Sequence, residues 1–386
     1  MKKESKIKVL HIISNLNVGG AEIALKRLIL NSKNNKQFYY EVITLTDIGP
    51  IGVELQKMNI KVYSLKMYSI VKIIKALFHI KSIIQKNKPH IVQTWMYHSD
   101  LLGGVMARLL GCRRVIWGIR NSDIVSNNRG ISKSSKWGLK FCIPLSHFIP
   151  YKIVSVSQKG KIYHANKGYA RRKLIVIPNG YDIKKYKRDS NIRQKIRKLI
   201  SVPSNALIIG SIGRFNSYKD PYNFILSAKI VAAKNNSTFF LMAGKNIDLN
   251  NKLMVQMIEK TGYADRFRLL GERNDIPDIL SAIDIFCLHS RSEAFPNVLG
   301  EAMSAGLPSV VTDVGDAKRM LGRGGIVVPK KDANALAQGL LTFVHNTEDS
   351  RKLIGKIART RIIQNYTIDN VQQQYNNLYK NIIRVI

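Results

Sequence analysis

Short runs of Val, Ile and other apolar residues recur along the first half of the chain and alternate with longer amphipathic segments. The runs predict strands at 8–13, 40–45, 61–65, 91–94, 114–117, 152–156 and 174–177. Apolar residues at helical spacing fall between them, for example at 21–30, 70–84 and 101–110. Strand–helix alternation of this kind predicts a doubly wound parallel sheet.

A second series of the same type follows a polar, basic stretch at 184–198. Its strands are predicted at 206–212, 238–243, 267–270, 283–288, 309–312 and 325–328. The fold class is therefore α/β, with two Rossmann-like parallel-sheet domains at 1–180 and 181–368 that face a cleft. Ligands of such sheets bind beyond the carboxyl ends of the strands.

The last stretch, 369–386, has the apolar spacing of one helical face. Its apolar residues are Val371, Tyr375, Leu378, Tyr379 and Ile382. A helix of this kind needs a groove to cover its apolar side, so we expect it to cross back to the first domain.

Composition limits the function classes. The chain has 386 residues, 45% of them hydrophobic, which is typical of a globular protein rather than a disordered one. No apolar run approaches the ~18–20 residues of a membrane span. The three cysteines (Cys112, Cys142 and Cys287) are widely spaced and form no disulfide or metal-binding pattern, so we expect a reducing, cytoplasmic location.

The net charge is +37, from 62 Lys+Arg and 25 Asp+Glu. Residues 1–180 carry 31 basic and 7 acidic residues, whereas residues 181–386 carry 31 and 18. Such a charge indicates an anionic partner: nucleic acid, anionic lipid or a phosphorylated substrate. An AT-rich genome would also raise the Lys content, but it would not explain why acids are scarce in the first half.

Two glutamates follow the predicted strand at 283–288. Glu293 lies in the next loop, and Pro296 and Asn297 open a helix that contains Glu301. The first N–H groups of that helix, on Asn297, Val298 and Leu299, form a phosphate-binding helix end. The Glu301 carboxylate suits the two hydroxyls of a ribose, and Glu293 would lie nearer a transferred group. The alternative is that both glutamates only stabilise the helix end.

Two basic residues follow the predicted strand at 206–212. Arg214 and Lys219 are five positions apart in one loop, so both can converge on a single phosphate group. Without a metal, such a pair would have to balance the charge of a leaving diphosphate. A chance pair of basic residues is the alternative in so basic a chain.

The string from Glu293 to Glu301 resembles the glutamate–seven residues–glutamate motif of family 4 (group 1) glycosyltransferases, which have the GT-B fold. The neighbouring Phe-Pro-Asn-Val-Leu and Thr-Asp-Val-Gly strings are similar to the family's text. Two positions depart from it: Ala294 stands where the family usually has Gly, and Gly300 stands where a larger apolar residue is common. Neither change removes a functional group.

The resemblance implies a retaining transfer of a hexosyl-type sugar from a nucleotide-diphosphate sugar, for which we expect UDP. It implies that Arg214 and Lys219 bind the diphosphate and that the loop at Gly271 frames the nucleobase. The Gly19–Gly20 loop lets backbone N–H groups approach a ligand closely, and it resembles the family's Gly-Gly-x-Glu loop at the donor. A plain helix start is the alternative for these glycines.

Further candidates follow strands of the first domain. His98 is expected on the acceptor side and is counted with Glu293, Arg214 and Lys219 as catalytic, although a lone His is often structural. Arg120 and Asn121 are weaker acceptor-side candidates. No Asp-x-Asp triplet occurs in the sequence, so we expect no metal or other cofactor besides the nucleotide-sugar co-substrate.

Two basic segments also carry large apolar side chains. Segment 65–88 combines lysines with isoleucines, and segment 129–152 places Lys133, Lys136 and Lys140 around Trp137 and Phe141. The second segment favours contact with an anionic membrane surface, whereas a core-facing helix is the better interpretation of the first. We therefore expect a peripheral protein on the inner face of the cytoplasmic membrane.

The leading interpretation is transfer of a sugar to a lipid-linked, polysaccharide or oligosaccharide acceptor in cell-surface glycan synthesis, of the O-antigen, capsule or lipopolysaccharide type. A sugar-nucleotide epimerase of GT-B shape is one alternative. A basic nucleic-acid-binding protein is another, but no nucleic-acid-binding module is evident, and we expect no nucleic-acid partner.

Overall fold

The computed structural model describes residues 6–32, 37–69, 71–121 and 133–385. They form two compact units. One unit contains the chain up to Gly180 together with the chain from Ile368 onward, and the other is Tyr181–Thr367.

Each unit is built on one parallel sheet, of seven strands in the first unit and six in the second. The strands of the first unit are β1 (Ile7–Ile13), β2 (Phe38–Thr44), β3 (Lys61–Ser64), β4 (Ile91–Trp95), β5 (Val115–Ile119), β6 (Lys152–Ser155) and β7 (Leu174–Val176). Those of the second are β8 (Leu207–Ile212), β9 (Thr238–Ala243), β10 (Phe267–Leu269), β11 (Ile285–Leu288), β12 (Ser309–Thr312) and β13 (Gly325–Val328).

Helices connect the strands. The first unit has α1 (Gly20–Asn31), α2 (Gly49–Lys57), α3 (Val71–Asn87), α4 (Tyr97–Ser99), a π-helical turn (Asp100–Gly104), α5 (Val105–Leu109), α6 (Lys133–Leu145), α7 (Gln158–Asn166) and a 3₁₀ turn (Arg171–Lys173). The second unit has α8 (Ser190–Leu199), α9 (Pro221–Lys234), α10 (Lys252–Glu259), a 3₁₀ turn (Ala264–Arg266), α11 (Ile276–Ala282), α12 (Asn297–Ser304), α13 (Ala317–Leu321), α14 (Ala333–His345) and α15 (Glu348–Asn365). The last helix, α16 (Ile368–Val385), belongs to the first unit.

Most strand residues are apolar because helices cover both faces of each sheet, with exceptions such as Glu41 in β2 and Gln93 in β4. In the first unit, α1, α2 and α16 pack on one face, while α3, α5 and α6 pack on the other. Helix α16 buries Val371, Tyr375, Tyr379 and Ile382 in the first of these layers. The prediction that the C-terminal helix crosses back to the first domain is confirmed.

One predicted helix, at 101–110, is wrong in detail. The chain forms the π-helical turn Asp100–Gly104 and only then the short helix α5. Two glycines explain the distortion: a Cβ at Gly103 would overlap Ile12, and a Cβ at Gly104 would overlap Trp117. The turn therefore lies directly against the sheet, at a distance that ordinary helical side chains would prevent.

The strand order fixes where a ligand can bind. It is β3-β2-β1-β4-β5-β6-β7 in the first sheet and β10-β9-β8-β11-β12-β13 in the second. In such sheets, ligands bind at the carboxyl ends of the strands where the order reverses, here between β1 and β4 and between β8 and β11. The predicted α/β class with two Rossmann-like sheets is confirmed. Within the described residues, we find no helix that is both long and apolar enough to cross a membrane.

Candidate active site

The loop after β8 carries the two predicted basic residues. Gly213 continues the strand, since its N–H donates to Ala243 O at 2.9 Å. The Lys219 side chain passes directly over Gly213, where an added Cβ would lie 3.3 Å from Lys219 Cδ. A glycine at 213 therefore lets the lysine fold back to the end of the sheet.

Lys219 meets Glu293 there. Lys219 Nζ lies 2.6 Å from Glu293 Oε1, and Ser290 Oγ donates to the same oxygen at 2.8 Å. The side chains are 23% and 15% exposed, so the pair is largely but not fully shielded from water. The sequence predicted both residues for the site, and the structure joins them in a direct ion pair.

Arg214 differs from Lys219 in having no side-chain partner among the described residues. The residue is exposed, and its guanidinium makes no hydrogen bond or ion pair with any residue that the structure describes. It lines the same small cavity as Lys219, Ser290 and His289. A planar cation beside this cavity is suited to a bidentate contact with a phosphate.

His289, which the sequence analysis did not select, holds the base of this cavity. Its Nδ1 lies 3.1 Å from Asp220 O and its Nε2 lies 2.6 Å from Ser211 Oγ. Because a carbonyl oxygen only accepts, Nδ1 carries the proton and Nε2 accepts from the hydroxyl. Burial lowers the pKa of His289 to about 4, which keeps the ring neutral.

A second ion pair ties the two loops together and was also missed. The Arg291 guanidinium donates to Asp220 Oδ1 at 2.7 Å, with Nε 2.6 Å from Oδ2. Arg291 N–H also donates to Tyr218 O at 2.7 Å. The loop after β8 is therefore anchored to the loop after β11, which fixes Lys219 relative to Glu293. Because Asp220 and Arg291 are far apart in the chain, nothing in the sequence indicates that they pair.

The Glu293 backbone is held by a neighbouring turn. Gly315 has φ +47° and packs so tightly that a Cβ would overlap the Glu293 and Ala294 carbonyls. Asp316 N–H then donates to Ala294 O at 3.0 Å. The predicted Thr-Asp-Val-Gly string thus serves the loop that carries Glu293.

Helix α12 begins at Asn297, directly after Pro296. Since the first N–H groups of a helix have no intrahelical partner, those of Val298 and Leu299 add positive potential at this end. Glu301 lies one turn further and is buried. A Cβ at Gly300 would overlap the ring of the fully buried Tyr181, so this tyrosine occupies the space that a larger residue at 300 would need.

Gly271 belongs to a compact turn beside β9. Its carbonyl accepts from Gly244 N–H at 2.7 Å, and its own N–H donates to Ile247 O at 2.8 Å. Gly244 adopts φ +144° and lies against the Gly213 carbonyl. The turn predicted to frame a nucleobase is therefore fixed by its own backbone hydrogen bonds, which leaves the second lone pair of the Gly271 carbonyl for a ligand.

The glycine loop of the first unit leads into α1. Gly19 caps the helix in an extended conformation, and Gly20 is its first residue. The buried Glu22 side chain folds back over Gly19, where a Cβ would overlap its carboxylate. Gly19 therefore leaves room for this position of the Glu22 carboxylate, whether or not a ligand approaches the loop.

His98 lies in the short helix α4, in the segment that follows β4. Met96 precedes this helix with φ +72°, an unusual conformation for a residue with a side chain. Ser99 Oγ lies 3.4 Å from Ser14 Oγ, so the loops after β1 and β4 meet at the carboxyl end of the sheet. Partial burial lowers the pKa of His98, which favours its neutral form.

Arg120, a predicted acceptor-side residue, is partly buried and has protein partners. Its guanidinium stacks over Trp95 at 4.1 Å and donates to Asn179 Oδ1 at 2.8 Å. Burial lowers its pKa, and the Glu22 and Tyr375 side chains oppose that shift. These contacts orient the Arg120 side chain within the first unit, whereas Asn121 is exposed. The acceptor-side role of both residues stays a prediction.

The polar residues thus fall into two groups, each at the switch point of one sheet. The second unit brings together Arg214, Lys219 and Glu293 beside the start of α12, an arrangement that can bind and neutralise a diphosphate. Throughout the described ranges, no three His, Cys, Asp or Glu side chains cluster as metal ligands. Two Rossmann-type units with such loops are the architecture of GT-B glycosyltransferases.

Comparison with known proteins gives the family. The model of Glycosyltransferase Family 4 matches residues 18–185, and the model of Glycosyl transferases group 1 matches residues 192–361. The chain belongs to the group 1, family 4 glycosyltransferases, which confirms the resemblance seen in the glutamate motif.

Two relatives and one structure illustrate the similarity. The Escherichia coli UDP-Gal:alpha-D-GlcNAc-diphosphoundecaprenol alpha-1,3-galactosyltransferase is 26% identical over 97% of both chains. The Rhizobium meliloti lipopolysaccharide core biosynthesis mannosyltransferase LpsB is 25% identical over 54% of this chain and 61% of its own. The crystal structure of Anabaena HepE with UDP and glucose superposes with a TM-score of 0.83 at 20% identity, covering 97% of this chain and 100% of that one.

Proposed function

We propose that this glycosyltransferase moves a hexosyl group from a UDP-sugar to a lipid-diphosphate-linked glycan during cell-surface polysaccharide assembly. The observation that carries the proposal is the Lys219–Glu293 pair at the switch point of the second sheet, beside Arg214, whose exposed guanidinium has no partner in the part of the chain that the structure describes. The full-length similarity to an E. coli enzyme that uses UDP-Gal and a diphosphoundecaprenol-linked sugar supports the choice of donor and acceptor classes.

Donor binding is assigned to the second unit. Arg214 and Lys219 bind the diphosphate, together with the N–H groups of Asn297, Val298 and Leu299 at the start of α12. Glu301, one turn along the same helix, accepts hydrogen bonds from the ribose hydroxyls. The Gly244–Gly271 turn lies beside the nucleobase. In this assignment each part of the nucleotide contacts a different loop of one sheet edge.

The chemistry is substitution at the anomeric carbon with retention. The bond between C1 and the diphosphate oxygen breaks, and the acceptor oxygen bonds to C1 on the same face. The acceptor proton passes to the departing phosphate oxygen. Lys219 stabilises the negative charge that develops there, while Glu293 holds the lysine in place and lies near the transferred sugar.

Acceptor binding is assigned to the first unit. Neutral His98 can accept a hydrogen bond from an acceptor hydroxyl, and its lowered pKa keeps it in that form at neutral pH. The neighbouring Asn121 is exposed, so its side-chain amide can contact the acceptor. Arg120 already donates a hydrogen bond to Asn179. The predicted donor contact of Gly19 and Gly20 stays a prediction.

We further propose that the reaction requires no metal, because Arg214 and Lys219 can supply the positive charge that a divalent cation provides elsewhere. Turnover measured with EDTA should equal turnover measured with added Mg²⁺. A strict requirement for the metal would contradict this part of the proposal.

The enzyme is proposed to act at the cytoplasmic face of an anionic membrane, where nucleotide sugars and lipid-linked acceptors meet. Helix α3 exposes Val71, Ile74 and Phe78, and α6 exposes Trp137 and Phe141 as a stacked pair with ring centroids 6.0 Å apart. Basic residues accompany these side chains on both helices: Lys72, Lys75, Lys81, Lys136 and Lys140. Exposed apolar residues with lysines favour binding to an anionic membrane surface. Residues 122–132 and Ile70, part of the predicted basic segments, lie outside the described residues.

The donor class can be tested by thermal shift against a panel of UDP-, GDP-, ADP- and dTDP-sugars. We expect stabilisation by UDP and by one or two UDP-hexoses. Stabilisation by another nucleotide alone would contradict the proposed donor. Binding of duplex DNA or RNA in the absence of sugar transfer would contradict the proposed activity.

A further inference from the structure

A second polar cavity opens at the opposite edge of the first sheet, where strands β4 and β5 begin. It has a volume of about 590 Å³. The segment between α3 and β4 forms one side, and the segment between α5 and β5 forms the other. Its lining includes Gln85, Lys88, His90, Cys112, Arg113 and Arg114. Since His98 follows the carboxyl end of β4, this cavity is distinct from the candidate active site.

The charged side chains that line the cavity are all basic. Lys88, Arg113 and Arg114 line it, and no Asp or Glu is among its lining residues. The Arg114 Nε atom is buried and has no hydrogen-bond partner among the described residues. A buried N–H donor without an acceptor is costly, and an anion in the cavity would satisfy it.

His90 adds a neutral donor to the same cavity. Lys8 N–H donates to His90 Nδ1 at 2.8 Å, so the proton of the neutral ring is on Nε2. Burial, Lys8 and Arg114 all lower the pKa of His90, so the ring does not add a further charge when the cavity is empty. An anion would find two guanidinium groups, an ammonium and an imidazole N–H in one place.

We propose that this cavity binds a phosphate group. Guanidinium forks and a lysine are the side chains that suit a tetrahedral phosphate oxyanion. The group can come from a phospholipid headgroup or from a soluble phosphate. The lipid source is favoured by position, because exposed residues run along one side of α3 from Val71, Ile74 and Phe78 to Gln85 at the rim of the cavity. The exposed Leu109 lies next to the opposite rim.

Cys112 provides a direct readout of occupancy. It lines the cavity and is partly exposed, whereas Cys142 and Cys287 are buried. The full-length protein is treated with iodoacetamide, and the alkylation rate of Cys112 is followed by mass spectrometry. The probes are inorganic phosphate, glycerol 3-phosphate, phosphatidylglycerol–phosphatidylcholine vesicles and phosphatidylcholine vesicles, with chloride matching the ionic strength.

The matched variants are Arg113→Gln/Arg114→Gln in the cavity and Arg171→Gln/Arg172→Gln as a control. The control pair consists of adjacent arginines of the first unit, so both double variants lose the same charge. Arg171 and Arg172 are exposed, whereas Arg114 is partly buried. We expect phosphate to slow the alkylation of Cys112 in the wild type and in the control variant. In the cavity variant, the affinity for phosphate should be at least about tenfold weaker. Lys88→Asn, at a position with φ +45° that Asn tolerates, gives a second test if the double variant is unstable.

The probes separate the two sources. Protection by phosphatidylglycerol vesicles as well as by glycerol 3-phosphate identifies a lipid headgroup, and protection by the soluble anions alone identifies a free phosphate. Either result supports the site. Absence of protection by every probe, or equal protection in the cavity and control variants, overturns it. Because the readout is Cys112 alkylation, the test stands apart from the proposed sugar transfer.

Discussion

Replacing Arg214 by Ala tests the diphosphate assignment with little disturbance of the fold. The Arg214 guanidinium is exposed and has no partner among the described side chains, so its removal breaks no protein contact. Surface substitutions of this kind change the free energy of unfolding by less than about 0.5 kcal/mol. Any large effect must therefore come from the ligand.

The expected magnitude follows from the chemistry of the contact. A hydrogen bond between charged groups contributes about 1.5–3 kcal/mol, so the affinity for UDP should fall roughly tenfold to a hundredfold. If the contact strengthens as the diphosphate leaves, kcat should fall by about 10²–10³. Uridine has no phosphate, and its affinity should not change.

The assay is calorimetric titration with UDP and with uridine, combined with turnover and the melting temperature. Arg323→Ala is the control, since Arg323 is exposed and precedes β13, at the edge of the sheet away from the site. Wild-type UDP affinity in Arg214→Ala, or an equal loss for UDP and uridine, would refute the assignment.

Three further predictions concern the same unit. Glu301→Ala should weaken binding of UDP but not of 2′,3′-dideoxy-UDP, as measured by calorimetry; an equal loss for both ligands would exclude the ribose contact. Gly300→Ala should lower the melting temperature because its Cβ overlaps Tyr181, and Tyr181→Leu should restore part of the loss in the double variant; additive losses would contradict the packing argument. His289 has a folded-state pKa of about 4, below its unfolded value of 6.5, so the unfolded chain binds a proton first and stability falls as the pH drops from about 6.5 to about 4. Over that range the loss from His289 should approach about 3 kcal/mol in urea titrations, and His289→Gln should show a correspondingly flatter pH dependence.

The sequence predicted the sheets well because parallel strands covered on both faces are rich in apolar residues. Strands such as β5 and β8 are therefore visible as short runs of Val, Ile and other apolar residues. The π-helical turn after β4 was not visible. It depends on close contacts of Gly103 with Ile12 and of Gly104 with Trp117, which only the folded sheet creates.

The site shows the same division. Glu293, Lys219 and Arg214 could be selected because each stands just after a strand in a motif. The contacts that hold them could not, since Asp220–Arg291 and Ser211–His289 join segments that are far apart in the chain. Arg120 was selected for its position after β5, and only the structure shows that its guanidinium stacks on Trp95. Position along a strand gives the sheet edge, whereas the direction of a side chain depends on its neighbours.

The unusual Gly300 is explained by a residue that the motif does not contain. Tyr181, at the start of the second unit, places its ring where a larger side chain at 300 would lie. Local sequence therefore identifies the departure from the family pattern, and only the packing of two distant segments explains it.

The most direct test of the account is the product formed from a UDP-hexose and a polyprenyl-diphosphate-linked sugar. After incubation with the full-length enzyme, the lipid fraction is analysed by mass spectrometry and the new linkage by NMR. We predict one added hexose, joined with the anomeric configuration of the donor, and no such product with Arg214→Ala. An epimerised nucleotide sugar without a lengthened acceptor, or a product of inverted configuration, would contradict the account.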